Sequence, residues 1–141
     1  MPEMPEGAWR AFITSGTRTG KLATVCGDGR PHVTPVWFLL NGDEIVLTTH
    51  QTSLKGRNIQ RDGRVCLCVD DQEPPFSYVM IEGAARCSTG LDELRRWAAR
   101  IGGRYMGADR AEEYGRRNGV PGELLIRVTP TRIVAEERVA G

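Results

Sequence analysis

The predicted strand His32–Leu40 is apolar on both faces, which strongly limits the folds open to this chain. Its apolar side chains alternate between the two sides, with Val36, Phe38 and Leu40 on one and Val33, Trp37 and Leu39 on the other. A strand with one face in water carries polar residues on that face. The pattern therefore predicts a barrel core on one side and a covering partner on the other, which could be a helix, a second subunit or a flat cofactor. Pro35 cannot donate to a ladder, so one edge is expected to be open or bulged there.

Glycine-containing turns separate the predicted strands. The segments Gly27–Gly29 and Asn41–Asp43 are typical of tight hairpins. The predicted strands are Lys21–Cys26, His32–Leu40, Glu44–His50, Val65–Asp70, Tyr78–Cys87 and Leu124–Val134. This order indicates a mainly β fold with flanking helices, a small closed or split β-barrel in one domain spanning residues 1–141.

Apolar residues at helical spacing predict helices outside the barrel. The first covers Pro5–Ser15, a short crossover helix follows the third strand, and two further helices precede the last strand. The expected capping boxes of those two helices are Thr89 with Asp92 and Asp109 with Glu112. Asn118 and Gly119 are expected to end the second of them.

Charge and cysteine usage exclude several classes of protein. A net charge of +1 over 141 residues argues against a nucleic-acid-binding module, and no apolar run approaches the roughly 18 residues of a spanning helix. The start of the sequence lacks the basic-then-apolar layout of a secretory signal. The four cysteines form no C-x-x-C pair and, with two distant histidines, match no zinc spacing. We therefore expect a cytoplasmic protein with no membrane segment and no metal site.

The segment after the third strand, residues 48–59, carries the strongest chemical signal. Ser53 is a plausible helix N-cap, and Lys55 and Arg57 then fall in or near the first turn. Cations at that end oppose the helix dipole, unless an anion lies between them and the free amides. The segment predicts a phosphate site held by backbone N–H groups, Ser53 and the two cations. A solvated surface turn is the alternative.

The neighbouring strand offers a flat apolar wall beside this anion site. Thr34, Pro35, Trp37 and Phe38 could supply backbone groups and an aromatic surface. A planar cofactor with several rings and a phosphate tail needs a ledge, edge hydrogen bonds and a phosphate clamp. Packing in the core is the alternative explanation for Trp37.

Two motifs in this order resemble the flavin and deazaflavin oxidoreductases, split-barrel relatives of pyridoxamine 5′-phosphate oxidase. They are DGRPHVTPV, beginning at Asp28, and SLKGRNIQRDGRV, beginning at Ser53. The resemblance covers about Thr19–Cys87, with weaker agreement through Gly122–Val134. It is greatest to the short branch that uses the deazaflavin coenzyme F420 rather than FMN. The chain lacks the basic carboxy-terminal stretch that holds substrate phosphate in true pyridoxamine phosphate oxidases, so that activity is not expected.

The resemblance implies a homodimer with two cofactor sites at the subunit interface. It implies a ring site along Thr34, Pro35, Val36, Trp37 and Phe38. It implies that Thr48, Thr49, Ser53, Leu54, Lys55, Arg57 and Asn58 hold the ribityl-phosphate part, and that Tyr78 and Val79 contact the cofactor edge. Flavin oxidases often carry glutamine where Tyr78 stands, so an FMN-type edge contact is less well supported.

The expected reaction is hydride transfer from reduced F420 to an unsaturated small organic acceptor. The cofactor carries this chemistry, and the protein positions ring and substrate. The catalytic residues are unknown from the sequence, because the proton could come from solvent, His32, His50 or Tyr78. Two alternatives on the same fold are an FMN-dependent oxidoreductase and a non-catalytic flavin- or haem-binding protein.

Overall fold

Seven strands pair antiparallel into one sheet in the computed structural model, which describes residues 2–141. They are β1 (Gly20–Val25), β2 (Pro31–Val36), β3 (Leu39–Asn41), β4 (Glu44–His50), β5 (Arg64–Asp71), β6 (Ser77–Ser88) and β7 (Glu123–Glu136). Both predicted hairpins are confirmed, because β1 pairs with β2 and β3 pairs with β4. The mainly β fold with flanking helices is confirmed as well.

The chain itself shows that this sheet closes on itself. The strand order is β2-β1-β5-β6-β7-β4-β3, so β2 and β3 are the two edge strands. Only Trp37 and Phe38 separate them in sequence, and three Cα–Cα steps span at most about 11 Å. The two edges must therefore lie side by side, which rolls the sheet into a split barrel. The predicted continuous strand His32–Leu40 is wrong in this respect, because the chain turns a corner at Trp37–Phe38 and changes from one edge to the other.

Alternating burial along the strands defines the barrel core. On β5, Val65, Leu67 and Val69 are buried in the main cluster, while Cys66 and Cys68 between them face outward and are half-buried. β4 departs from this alternation, because Val46 is as buried as its neighbours and packs in a second cluster with Leu94 and Leu125 outside the barrel. A helix covers the outer side of β4, which explains its continuous apolar run.

Four α-helices flank the barrel: α1 (Ala8–Thr14), α2 (Leu54–Arg61), α3 (Leu91–Met106) and α4 (Ala111–Asn118). Ser53 caps α2 as predicted, and α4 ends at Asn118 with Gly119 as its C-cap. Both predicted capping boxes are wrong, since the N-caps are Gly90 for α3 and Arg110 for α4, without a side-chain cap bond. α3 begins one residue beyond the expected position, and a short 3-10 turn over Ala108–Arg110 displaces the start of α4.

The helices of the described range, residues 2–141, include none with the length and apolar character needed to cross a membrane.

Candidate functional site

The corner between β2 and β3 is fixed by the carboxyl-terminal half of α3. Trp37 stacks on Tyr105 with ring centroids 5.1 Å apart and planes 7° from parallel. It also meets the edge of Tyr114 of α4 at 5.6 Å. The Phe38 N–H donates to the Tyr105 hydroxyl at 3.3 Å, and the Arg104 guanidinium donates to the Phe38 carbonyl at 2.7 Å. Trp37 therefore belongs to an aromatic cluster of the chain and cannot swing freely.

Hydroxyl groups hold the start of α2 against the end of β4. Ser53 Oγ donates to the His50 carbonyl at 2.8 Å and accepts the Gly56 N–H at 3.0 Å. A serine hydroxyl has one hydrogen, so Thr49 Oγ1, 2.9 Å away, must be the donor of the Thr49–Ser53 bond. A Cβ on Gly56 would overlap the His50 carbonyl oxygen, which explains why glycine occupies this position.

The first turn of α2 leaves two backbone donors for a ligand. The Gly56 N–H bonds Ser53 Oγ, and the Arg57 N–H bonds the Ser53 carbonyl. The amides of Leu54 and Lys55 precede these, and neither donates to a backbone carbonyl among residues 2–141. The Lys55 side chain adds a positive charge beside them. This is the local chemistry of an anion site.

The start of β7 places an acidic side chain next to this anion site. The Gln51 N–H donates to the Gly122 carbonyl at 2.8 Å, which fastens the β7 start to the loop before α2. Gly122 has a φ of +95°, and a Cβ there would lie 2.7 Å from His50 Nε2. Glu123 is paired across the sheet with His50. Burial raises the pKa of Glu123, although the nearby charges of His50 and Lys55 act in the opposite direction.

These elements enclose a cleft with a volume of about 330 Å³. It is lined by the end of β2, the end of β4, the first turn of α2, the middle of α3, the end of α4 and the start of β7. The residues involved are Pro35, Val36, Trp37, Thr48, Thr49, His50, Lys55, Ala98, Ile101, Gly102, Asn118 and Glu123. The structure thus brings together six of the predicted site residues, and Ser53 lies directly behind Thr49.

Other predicted site residues lie in the interior and serve the fold. Phe38 and Val79 are fully enclosed, and their side chains belong to the barrel core. Asn58 is 1% exposed and donates to Thr24 Oγ1 at 3.0 Å. Thr34 Oγ1 is buried without a hydrogen-bond partner in the described part of the chain. None of these side chains lines the cleft.

Three further predicted residues are accessible but lie outside the cleft. Leu54 and Arg57 are exposed on the solvent side of α2. Tyr78 lines a separate cavity of about 530 Å³ with Lys21, Cys68 and Phe76, on the outer face of the sheet. Burial raises the pKa of Tyr78, and the neighbouring Glu136 carboxylate adds to this effect. Within one chain, Tyr78 does not meet the residues of the cleft.

Sequence reasoning missed the part of the cleft supplied by α3, α4 and β7. The apolar stripe of α3 predicts core packing, and Ala98 and Ile101 do pack there, but their edge also forms a cleft wall. Gly102 permits the close approach of α4, since a Cβ on it would overlap Tyr114. Glu123 carried one usable signal, an acidic residue immediately after a Pro-Gly turn at the start of a buried strand.

Comparison with known proteins shows which family has this fold. The family model of pyridoxamine 5′-phosphate oxidase matches residues 5–135, nearly the whole chain. The chain belongs to this family. This family includes oxidoreductases, and its barrel is the fold described above, so the predicted resemblance and fold class are both confirmed.

Solved structures agree with this family and this fold. A conserved hypothetical protein of Mycobacterium tuberculosis, Rv2991, is 28% identical with a TM-score of 0.83, covering 96% of this chain and 86% of that one. An F420 reductase is 26% identical with a TM-score of 0.72, covering 92% and 98%. HutZ, the heme storage protein from Vibrio cholerae, is 18% identical with a TM-score of 0.72, covering 94% and 96%, and shares the fold.

Proposed function

We propose that this member of the pyridoxamine 5′-phosphate oxidase family is an F420-dependent reductase of an unsaturated small organic molecule. The observation that carries the proposal is the cleft, which joins an apolar wall at Pro35–Trp37 to the positively charged start of α2. The similarity to an F420 reductase over nearly the full length of both chains supports the choice of cofactor.

The residues of the cleft fit a cofactor with a ring system and a phosphate-bearing tail. Pro35, Val36 and Trp37 offer an apolar surface for the ring. The Leu54 and Lys55 amides and the Lys55 ammonium group offer donors for a phosphate. Bound F420 would supply the chemistry, because its reduced form donates a hydride, and the protein would orient its ring.

Polar groups lie between the apolar surface at Pro35–Trp37 and the start of α2, where they can bind the hydroxylated chain that links the ring of the cofactor to its phosphate. Because Thr49 Oγ1 gives its hydrogen to Ser53, its lone pairs remain available as acceptors. The Thr52 N–H donates to His50 Nδ1 at 3.2 Å, and Thr52 Oγ1 lies 2.8 Å from the same ring nitrogen. Both contacts engage Nδ1, so His50 Nε2 remains available for a polar contact with the linker. After hydride transfer one proton is needed to complete the reduction, and it comes from solvent or from a group on the cleft rim.

We further propose that a second copy of the chain covers the outer face of the sheet. Ala23 pairs with Val33 on one side and Cys66 on the other, so these three side chains form one outward row. Val33 is 62% exposed although it is apolar. An uncovered apolar row across several strands is a typical subunit interface. Light scattering tests this: Val33→Glu should give a monomer, whereas Leu91→Glu, an equal change on α3, should leave a dimer.

We place this activity in the cytoplasm. Cys26, Cys66, Cys68 and Cys87 are all free thiols in the described structure. Unpaired cysteines are usual in a reducing compartment, which supports the proposal.

Titration with oxidised F420, followed by its fluorescence, tests the proposed cofactor directly. We expect saturable quenching with a dissociation constant in the micromolar range, and much weaker binding of FMN and of haem in parallel titrations. A protein that binds FMN tightly and ignores F420 would instead be an FMN-dependent oxidoreductase. Tight binding of haem alone would contradict both assignments.

A further inference from the structure

The anion site at the start of α2 contains a carboxylate that a simple phosphate clamp would exclude. Glu123 lines the same cleft as Lys55, and the positive charge of Lys55 acts to lower the pKa of Glu123. Neither side chain is a member of the ion pairs found within residues 2–141. The site therefore presents one positive and one negative side chain, together with two free amides.

The position of Glu123 is fixed by the fold. Its strand begins where the Gly122 carbonyl accepts the Gln51 N–H, and its backbone N–H donates to the Val120 carbonyl at 3.1 Å. The titratable groups that face it are His50 of β4 and Lys55 of α2. From α3 and α4, the cleft wall contributes Ala98, Ile101, Gly102 and Asn118, none of which titrates. Apart from His50, Lys55 is the one side chain of the cleft wall whose positive charge acts on the carboxylate.

The charge of a bound phosphate determines how strongly Glu123 would repel it. A phosphate monoester carries about −1.5 to −2 charges near pH 7, because its second pKa is about 6. A phosphate diester carries a single negative charge at this pH. A negative side chain beside the site repels the monoester more strongly, because the repulsion grows in proportion to the charge of the phosphate group.

We propose that Glu123 is a specificity-determining residue that makes the cleft prefer a cofactor joined through a phosphate diester over one ending in a phosphate monoester. This inference rests on the proposed function and refines it, since the phosphate of F420 is a diester and that of FMN is a monoester. Glu123 acts against the competing cofactor class rather than by attracting the correct one.

Three deazaflavin ligands with the same ring test the proposal. They are F420, the same molecule cut back to its ribityl 5′-phosphate monoester, and the phosphate-free core. Each is titrated by fluorescence into the wild type, Glu123→Gln and Glu112→Gln, the last removing an equal charge from an exposed position on α4. A second neutral variant, Glu123→Ala, and the charge-preserving Glu123→Asp complete the series.

We expect Glu123→Gln to strengthen binding about threefold for the diester and about tenfold for the monoester, as for a partly screened interaction. Binding of the phosphate-free core should not change, and Glu112→Gln and Glu123→Asp should match the wild type. Equal changes for all three ligands, or none, would overturn the role of Glu123 while leaving the proposed function intact. If the wild type binds none of the three, the proposed function fails, and this inference fails with it.

Discussion

Replacing Lys55 with alanine should weaken cofactor binding without loss of the fold. Lys55 is the one lysine or arginine lining the cleft in the described structure, and its ammonium group is positively charged. A hydrogen bond to a charged group contributes about 1.5–3 kcal/mol. Because Lys55 is half-exposed and faces Glu123, we expect the lower part of that range, about 1.5–2 kcal/mol, or a roughly 10- to 30-fold higher dissociation constant.

Arg57→Ala is the matched control for this prediction. The sequence predicts that Arg57 contributes as much as Lys55, but the structure places Arg57 outside the cleft on the exposed side of α2. Fluorescence titration with F420 should therefore show less than a twofold change for Arg57→Ala. Thermal unfolding should be nearly unchanged for both variants, because alanine is a good helix former. Equal losses for the two variants, or wild-type affinity for Lys55→Ala, would refute the assigned phosphate position.

Three other predictions concern the elements that support the cleft. Ser53→Ala removes the cap of α2 and should lower the free energy of unfolding by about 1 kcal/mol, measured by urea denaturation. Gly102→Ala would force a methyl group into Tyr114 and should cost about 1–3 kcal/mol in the same assay, and a fully stable variant would contradict the observed packing of α3 on α4. Asp62 has a folded-state pKa of about 2 instead of 3.8, chiefly because it accepts a hydrogen bond from the Arg64 side chain. A depressed pKa gives stability that is present above pH 3.8 and lost as the pH falls towards 2, so acid unfolding of Asp62→Asn should depend less on pH in that window.

The sequence was informative wherever one local pattern decides the structure. The glycine turns, the alternating burial of β5 and the Ser53 cap all follow from interactions between residues close in the chain. The corner at Trp37 was not predictable in this way. An extended apolar run looks the same whether it continues in one strand or crosses from one edge of a barrel to the other, and closure depends on strand pairings distant in sequence.

The same limit applies to the cleft. Lys55 was predictable from its own segment, because a cation in the first turn of a helix is locally unfavourable and suggests a ligand. The local signal at Glu123, an acidic residue after a Pro-Gly turn, does not indicate its role. That role depends on Lys55, which is 68 positions earlier in the chain and meets Glu123 only after β4 and β7 have paired. A local pattern therefore predicts where a charged ligand can bind, whereas the selection by ligand charge that we propose depends on a tertiary pairing.

Barrel closure and cleft formation are one event in this chain. The wall residues Pro35–Trp37 reach the end of β4 because β2 and β3 must lie side by side at the corner. The Arg104 guanidinium holds that corner by donating to the carbonyls of Ile13 and Phe38 at 2.8 and 2.7 Å, and burial lowers its pKa. Loosening the corner would therefore move Trp37 away from the start of α2. A site built in this way gains a rigid wall from the core, and the specificity that we propose for it depends on two residues at the rim, Lys55 and Glu123.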